Sequence, residues 1–285
     1  MTAAKSFYTP DPSAETTYVI ESFLSALQSI VPEEARTGVH NIPQRLSGLV
    51  QQYANWATDQ PSTHNLRYAC AVLAAFEALS PHLAPDHTLT ILREAFGASG
   101  AAVREKTRAA LDKSPDAFRD LVAVSKAREV VQFGPQFIFE RERDDDQAYL
   151  LNVRKCFWHD FFGAIGHPEL TTVLCAFDRN WFEAIDPERH GVRFERTTTL
   201  GEGGDHCPFH FFRQAAGEPE QSGATGRGPR KSGRGGFAEK TGDTAREFAP
   251  LSLRGTILSE VLALLKSAAA EMSRAGDKGS MMRRT

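Results

Sequence analysis

The spacing of apolar residues changes its period near residue 136. Before this point, apolar residues recur at intervals of three and four, as in residues 17–30 and in the strongly apolar residues 65–79. This spacing is typical of helices that pack on a core. Residues 136–143 (QFIFERER) instead alternate apolar and charged side chains, which is typical of a strand with one solvated face. Helices followed by strands predict an α+β fold.

The second half predicts a small antiparallel sheet with two helices inserted in it. Three consecutive aspartates that begin at Asp144 favour a helix over residues 148–162, and a proline opens another helix over residues 168–185. Residues 191–200 and 206–213 are β-like and flank a glycine-rich turn, which predicts a hairpin. The expected order is strand, helix, helix, strand, strand, packed with an N-terminal helical region.

One folded domain and three appendages are expected along the chain. Residues 1–16 contain prolines and small polar side chains and are typical of a flexible arm, whereas residues 17–213 form the predicted domain. Residues 214–248 are rich in glycine and have no apolar period, which predicts a disordered linker. Residues 249–285 contain an amphipathic helix around Val261 and a tail, through which the chain could form a homo-oligomer.

Charge and hydropathy exclude two classes of partner. The chain has 33 Lys+Arg against 36 Asp+Glu, so it lacks the excess positive charge of a general nucleic-acid binder. No stretch reaches the roughly 18 to 20 apolar residues of a membrane-spanning helix, and the N-terminus does not resemble a signal peptide. We therefore expect a cytoplasmic protein whose cysteines are thiols or ligands, without nucleic-acid or membrane partners.

Cysteine, histidine and aspartate cluster in the two predicted helices after the first strand. Cys156, His159 and Asp160 have the spacing of side chains on one helix face. Cys175 and Asp178 are one turn apart on the next predicted helix. If both helices pack on one face of the hairpin, two thiols, an imidazole and a carboxylate come together there.

Side chains of the predicted hairpin alternate between its two faces. Cys207 and Phe209 share the apolar, inward face, whereas His206 and His210 lie on the opposite face. On the preceding strand, Arg196 stands among apolar neighbours. This position predicts an inward cation that binds an anion.

Less specific interpretations of the same residues stay open. Buried free cysteines are common small core residues, and His159 could be a core histidine that donates to a backbone carbonyl. Arg196 could simply pair with Asp178 or Glu195. Cys156 and His159 form a local pair suited to a structural metal, but the chain lacks the short C-x2-C or H-E-x-x-H spacing of strong zinc motifs. A divalent metal therefore remains an open alternative.

Three successive segments carry a family resemblance. KCFWHDFFGAIGHPEL, TTVLCAFDRNWF and VRFERTTTLGEGGDHCPFHF, in this order, resemble the L-2-amino-thiazoline-4-carboxylic acid hydrolase family. The shared pattern is a cysteine at a first helix, Cys-x-x-Asp at the end of a second, an Arg-Thr strand, a glycine-containing turn and a Cys-x-Phe strand. The resemblance covers residues 130–213. Where members often have Cys-Asp-Phe, this chain has proline as its middle residue, Pro208.

The resemblance implies hydrolytic opening of a cyclic isothiourea, with L-2-amino-thiazoline-4-carboxylate giving N-carbamoyl-L-cysteine, in a secondary-metabolic pathway. We expect a hydrolase that acts on carbon-nitrogen bonds in cyclic amidines. The chemistry requires an activated water or thiolate, a proton donor and a cation for the substrate carboxylate. Asp178 or His159 is expected as the base, Cys175 or Cys207 as the nucleophile or orienting thiol, and Arg196 as the cation.

A function of another class is the alternative. In that interpretation the unit is a non-catalytic sensor whose inward cysteines hold a metal or a small ligand. Cys156, on the predicted helix face of His159, is expected at the catalytic site either as a supporting partner or as part of a metal site.

Overall fold

The computed structural model describes residues 11–214. Most of the first half is helical, as the apolar spacing predicts. The helices of the described residues are α1 (Pro12–Ile30), α2 (Arg36–Val39), α3 (Ile42–Gln52), α4 (Gln60–Leu79), α5 (Pro85–Ala98), α6 (Ala101–Leu111), α7 (Ala117–Arg128), α8 (Phe157–Ala164), α9 (Thr171–Phe177), α10 (Arg179–Phe182) and α11 (Pro187–His190).

Four antiparallel strands form one sheet, so the α+β class is confirmed. The strands are β1 (Ile138–Asp144), β2 (Ala148–Lys155), β3 (Val192–Glu195) and β4 (Cys207–Arg213). They are ordered β1-β2-β4-β3 across the sheet. In the predicted hairpin of β3 and β4, Phe194 pairs with Phe211. The sheet has one strand more than we expected.

The additional strand is β2, and the helix expected over residues 148–162 is wrong for its first half. Asp145 closes a tight turn here, because its carboxylate accepts the backbone N–H groups of Gln147 and Ala148, both at 2.9 Å. β2 lies between β1 and β4, and most of its side chains are buried. A strand buried on both faces loses the period-two alternation that would identify it.

Helix α1 shows that the expected flexible arm, residues 1–16, is wrong for residues 12–16. It begins at Pro12, where the Asp11 side chain accepts the backbone N–H of Ala14 at 3.1 Å and proline occupies the first turn. Such a cap and an N1 proline stabilise a helix start. Residues 12–16 are therefore helical, and the first part of the expected arm, residues 1–10, lies outside the described residues.

Helix α4 is the central helix that the apolar residues 65–79 predict. It starts at a capping box between Asp59 and Ser62, and most of its side chains are buried. Cys70 is 0 % exposed within it. This cysteine is a core residue.

The predicted helix over residues 168–185 is divided. A 3-10 turn at Pro168–Leu170 precedes α9, and Asp178 separates α9 from α10. The division has a local cause. The Asn180 side chain donates to the carbonyl of Phe177 at 3.0 Å, and this carbonyl would otherwise accept a backbone N–H in a continuous helix. The break fixes the position of Asp178 at the end of α9.

The connection between β3 and β4 is longer than the expected turn. β3 ends at Glu195, and an extended segment leads to a 3-10 turn at Leu200–Glu202. Gly203 then adopts φ +88°, a left-handed conformation that favours glycine. The extended segment, residues 196–199, borders the site described below.

Two apolar clusters meet at the sheet. The larger includes most of α1, α4 and α5, whereas the smaller contains Tyr149, Phe211 and side chains of α6 and α7. Phe139 and Phe209 pack against both clusters. The inward strand face therefore joins the two parts of the core.

The remaining expected segments lie outside the described residues. These are the linker after Gln214 and the C-terminal helix and tail at residues 249–285. Within residues 11–214, no helix is both long and apolar enough to cross a membrane.

Candidate active site

Cys175 and Asp178 stand at the C-terminal end of α9. They are three residues apart, so their side chains lie about one helical turn apart on one side. The indole Nε1 of Trp181 donates to Asp178 Oδ1 at 3.4 Å. Burial raises the pKa of the Asp178 carboxyl, and the cation of Arg196 opposes this rise.

Arg196 connects α9 with the sheet. Its Nη2 lies 3.1 Å from Asp178 Oδ2, and its Nη1 donates to the Cys175 carbonyl at 3.4 Å. The guanidinium lies 4.7 Å from the ring centre of Phe209, and the Arg196 side chain is only 8 % exposed. Arg196 is thus inward, as predicted, and its anion is a carboxylate of the protein.

Cys207 opens β4 directly behind this ion pair. Its Sγ accepts the backbone N–H of Leu200 at 3.1 Å, and the residue is buried. Burial raises the pKa of the thiol, while the Leu200 N–H and the Arg196 cation lower it. The predicted inward orientation of Cys207 is confirmed, and His210, on the opposite face, pairs with Asn152 at 3.0 Å.

Cys156 approaches the same group from the end of β2. Its backbone is extended and it precedes α8, so the predicted shared helix face of Cys156, His159 and Asp160 is wrong. The physical reason is that β2 continues to Lys155 and the helix starts only at Phe157. Burial raises the pKa of the Cys156 thiol, and Cys175 and Cys207 contribute a little to this rise. Cys156 thus lies on the buried side of the region that contains the other two thiols.

His159 makes no hydrogen bond with this group through its ring. Its Nδ1 is buried without a hydrogen-bond partner, and its backbone N–H is what it donates to Cys156. Asp160 pairs with Lys155 at 3.6 Å near the surface. Within residues 11–214, the expected imidazole is therefore not hydrogen-bonded to the thiols or to Asp178.

A cavity of about 840 Å³ opens in front of Cys175. Its size falls in the range of small-molecule sites, about 300 to 1,000 Å³. The lining residues are Arg93, Thr172, Cys175, Ala176, Arg179, Phe182, Glu183, Ile185, Pro187, Arg193, Phe194, Arg196, Thr199 and Glu202. Of the four cysteines, Cys175 alone lines this cavity.

The Cys175 thiol is protonated at neutral pH in this environment. Burial raises its pKa to about 12, and the Arg196 cation and the Thr199 hydroxyl oppose the rise. A nearby base is needed before such a thiol can act as a nucleophile. Asp178, three residues on, is the nearest candidate on the same element.

The part of the chain that the structure describes contains no set of ligands for the metal alternative. Residues 11–214 contain no group of three or more His, Cys, Asp and Glu side chains arranged to hold a metal ion. The arrangement instead offers a thiol on a cavity and a carboxylate–guanidinium pair behind it. This combination is suited to nucleophilic and proton-transfer chemistry.

The sequence patterns do not predict several of the residues that line the cavity. Arg93 lies on α5 and Thr172 at the start of α9, and the Arg93 Nε donates to the Thr172 Oγ1 at 3.2 Å. Arg93 is 79 positions from Thr172 in the chain. No spacing rule connects residues so far apart, and only the packing of α5 against α9 brings them together.

Comparison with known proteins identifies one family. Residues 64–211 match the family model described as L-2-amino-thiazoline-4-carboxylic acid hydrolase. The match extends from α4 to β4 and contains all of the cysteines and the ion pair described above. No curated protein and no solved structure matches the chain.

Proposed function

The chain belongs to the L-2-amino-thiazoline-4-carboxylic acid hydrolase family, and from this premise we propose that it hydrolyses the ring of L-2-amino-thiazoline-4-carboxylate or a close relative. The proposed product is N-carbamoyl-L-cysteine. To form it, water supplies the carbonyl oxygen at the carbon between ring sulfur and ring nitrogen, and the bond from that carbon to sulfur breaks. Both carbon-nitrogen bonds remain, so we propose carbon-sulfur cleavage in place of the carbon-nitrogen cleavage expected from the sequence.

One observation carries the proposal. Cys175 lines the cavity, and the Asp178–Arg196 ion pair lies within one helical turn behind it. A thiol, a base and a cation are thereby combined at one wall of a site large enough for the substrate. His159 has no role in this proposal, because its ring makes no hydrogen bond with the group.

In the first half of the proposed reaction, Asp178 accepts the proton of the Cys175 thiol. The thiolate adds to the carbon between ring sulfur and nitrogen, and Arg196 stabilises the negative charge as it develops. The carbon–ring-sulfur bond then breaks, and the leaving sulfur takes the proton from Asp178. The raised pKa of Asp178 favours such a shuttle, since a catalytic base works best with a pKa near the operating pH.

In the second half, water hydrolyses the amidino group now bound to Cys175. Asp178 accepts one proton from the water as its oxygen adds to the same carbon, and the second water proton passes to the former ring nitrogen. The carbon–Cys175 bond breaks, Asp178 returns its proton to the Cys175 sulfur, and the urea product leaves. The atoms balance with one water consumed per ring opened.

Cys207 and Cys156 act as positioning residues in this proposal. The Cys207 thiol, fixed by the Leu200 N–H, lies against Arg196 and limits its movement. Cys156 fills the buried side of the thiol cluster. Neither lines the cavity.

The mechanism requires a reducing location, because the sulfur of the proposed nucleophile must not be oxidised. All four cysteines are free thiols. We therefore propose that the protein works in the cytoplasm, where thiols are kept reduced. Its proposed partner is a small carboxylate substrate.

Kinetics on the thiazoline acid, followed by mass spectrometry of the product, test the proposal. We expect Cys175→Ser and Asp178→Asn each to lower kcat by about a hundredfold or more. Cys70→Ala, which changes a buried thiol remote from the cavity, is the matched control and should retain kcat. An acid-quenched reaction should show a covalent adduct on Cys175.

Two outcomes contradict parts of the proposal. Turnover that Cys175→Ser leaves unchanged would exclude Cys175 as the nucleophile. Binding of the acid by calorimetry without any product would favour the sensor function instead.

A further inference from the structure

Four arginines line the cavity in front of Cys175, and they differ in how their charge is satisfied. They are Arg93, Arg179, Arg193 and Arg196. Arg179 pairs with Glu183 at 2.8 Å, and Arg193 pairs with Glu195. Arg196 pairs with Asp178.

Arg93 differs from the other three. Its Nε donates to the hydroxyl of Thr172, and among residues 11–214 no carboxylate lies within ion-pair distance of it. A guanidinium carries five N–H donors in a planar fork that matches a carboxylate. The bond to Thr172 uses one donor and orients the fork, so the two terminal nitrogens remain for a ligand.

Arg93 also lines the same cavity as the reacting sulfur. Its partner Thr172 precedes Cys175 by three residues on α9, which is about one helical turn, and both line the cavity. In a thiazoline-4-carboxylate, the reacting carbon and the carboxyl-bearing carbon are separated only by the ring nitrogen. A carboxylate held at Arg93 therefore leaves the reacting carbon near Cys175.

We propose that Arg93, rather than Arg196, binds the carboxylate of the substrate. This inference rests on the proposed function and names the residue that selects acids over neutral rings. Arg196 is unsuited to the task, because a substrate carboxylate would have to compete with Asp178 for a guanidinium that is already buried. Arg93 can bind the substrate carboxylate without breaking an existing ion pair, so no other charge is left unpaired.

Steady-state kinetics of Arg93→Gln and Arg93→Lys test the assignment with two substrates, the thiazoline acid and its neutral carboxamide. For the acid, Arg93→Gln should raise KM about ten- to hundredfold, the cost of losing charge-assisted hydrogen bonds, with kcat changed less than about threefold. Arg93→Lys should restore part of the loss, because it keeps the charge but not the fork. For the carboxamide, KM should be the same in all three proteins.

Arg45→Gln is the matched control, since it removes an arginine that is paired with a glutamate, Glu77, and does not line the cavity. It should leave both substrates unaffected. Equal losses for acid and carboxamide in Arg93→Gln, or equal effects of Arg93→Gln and Arg45→Gln, would overturn the assignment. Wild-type protein that turns over neither substrate would contradict the proposed function, whereas wild-type turnover that Arg93→Gln leaves unchanged would contradict this inference alone.

Discussion

Arg196 Nη2 lies 3.1 Å from Asp178 Oδ2 in a pair whose side chains are 8 % and 24 % exposed, respectively. The pair connects the segment after β3 to the end of α9, and the carbonyl of Cys175 accepts a further hydrogen bond from the same guanidinium. The two partners differ in one respect that decides how the protein responds to their loss. A carboxylate can neutralise itself by binding a proton, but a guanidinium cannot release one under ordinary conditions.

Replacement of either partner should therefore destabilise the fold with a different pH dependence. Asp178→Asn leaves a buried cation, and we expect a loss of about 3 kcal/mol at pH values where wild-type Asp178 is ionised. Arg196→Gln leaves a carboxyl whose pKa rises further, so its loss should decrease as the pH is lowered and Asp178 binds a proton. Denaturant unfolding at several pH values measures the difference. Parallel pH curves for the two variants would contradict the expectation.

The pH dependence of activity should report the titration of Asp178. Its pKa is raised above the usual 3.8, mainly by burial. As the proposed base, it is active only when ionised, so kcat/KM should rise with pH through this raised pKa. The residual kcat/KM of Arg196→Gln should rise at a higher pH than that of the wild type, because the opposing cation is gone. If the rise occurs at the same pH in both proteins, the titration belongs to another group.

Alkylation should distinguish Cys175 from the other thiols. In native protein, iodoacetamide should label Cys175 first, since it lines the cavity whereas Cys70, Cys156 and Cys207 are buried. Because the Cys175 pKa is about 12, labelling should be slow at pH 7 and increase about tenfold per pH unit to pH 10. Peptide mass mapping follows the reaction, and Cys175→Ser is the control. Rapid labelling independent of pH would show a resting thiolate and remove the need for a base.

Gly100 should tolerate no side chain. A Cβ there would overlap with Asn180 Nδ2, which donates to the Gly97 carbonyl at 2.8 Å and holds α10 against α5. We expect Gly100→Ala to cost about 1 to 3 kcal/mol through this overpacking. Gly97→Ala, on helix α5 with open space around its Cβ, should be neutral or slightly stabilising. Thermal unfolding of both variants measures the contrast, and equal melting temperatures would refute it.

The parts of the fold that follow local patterns could be predicted from the sequence. The hairpin of β3 and β4 shows alternation and a glycine turn, and the inward position of Cys207 follows from it. β2 could not be recognised, since a central strand shows no polar face. Asn152 is fully buried within β2, and its polar groups are satisfied there because it donates to the Glu142 carboxylate and its Oδ1 pairs with His210 Nε2.

The candidate site could be predicted only in part, because local spacing relates residues on one helix but not residues that packing brings together. Cys175 and Asp178 are neighbours on one helix, so their spacing alone places them together. The pairing of Arg196 with Asp178 was one of several possibilities until the packing of the β3 segment against α9 selected it. The shared helix face of Cys156 and His159 was wrong because the helix starts at Phe157 rather than earlier.

Helix α1 lies wholly before residue 64, where the family match begins, yet it belongs to the core. Phe23 and Leu27 are fully buried, Phe23 meets Phe96 edge to face at 5.2 Å, and Glu15 pairs with Arg128 at 3.0 Å. Each large apolar side chain buried in this way contributes about 1.5 to 3 kcal/mol. We expect a protein trimmed to the matched segment to expose the apolar faces of α4 and α5 to water and to aggregate. We therefore expect that a piece of this chain purified in folded form has to extend beyond residues 64–211 and include helix α1.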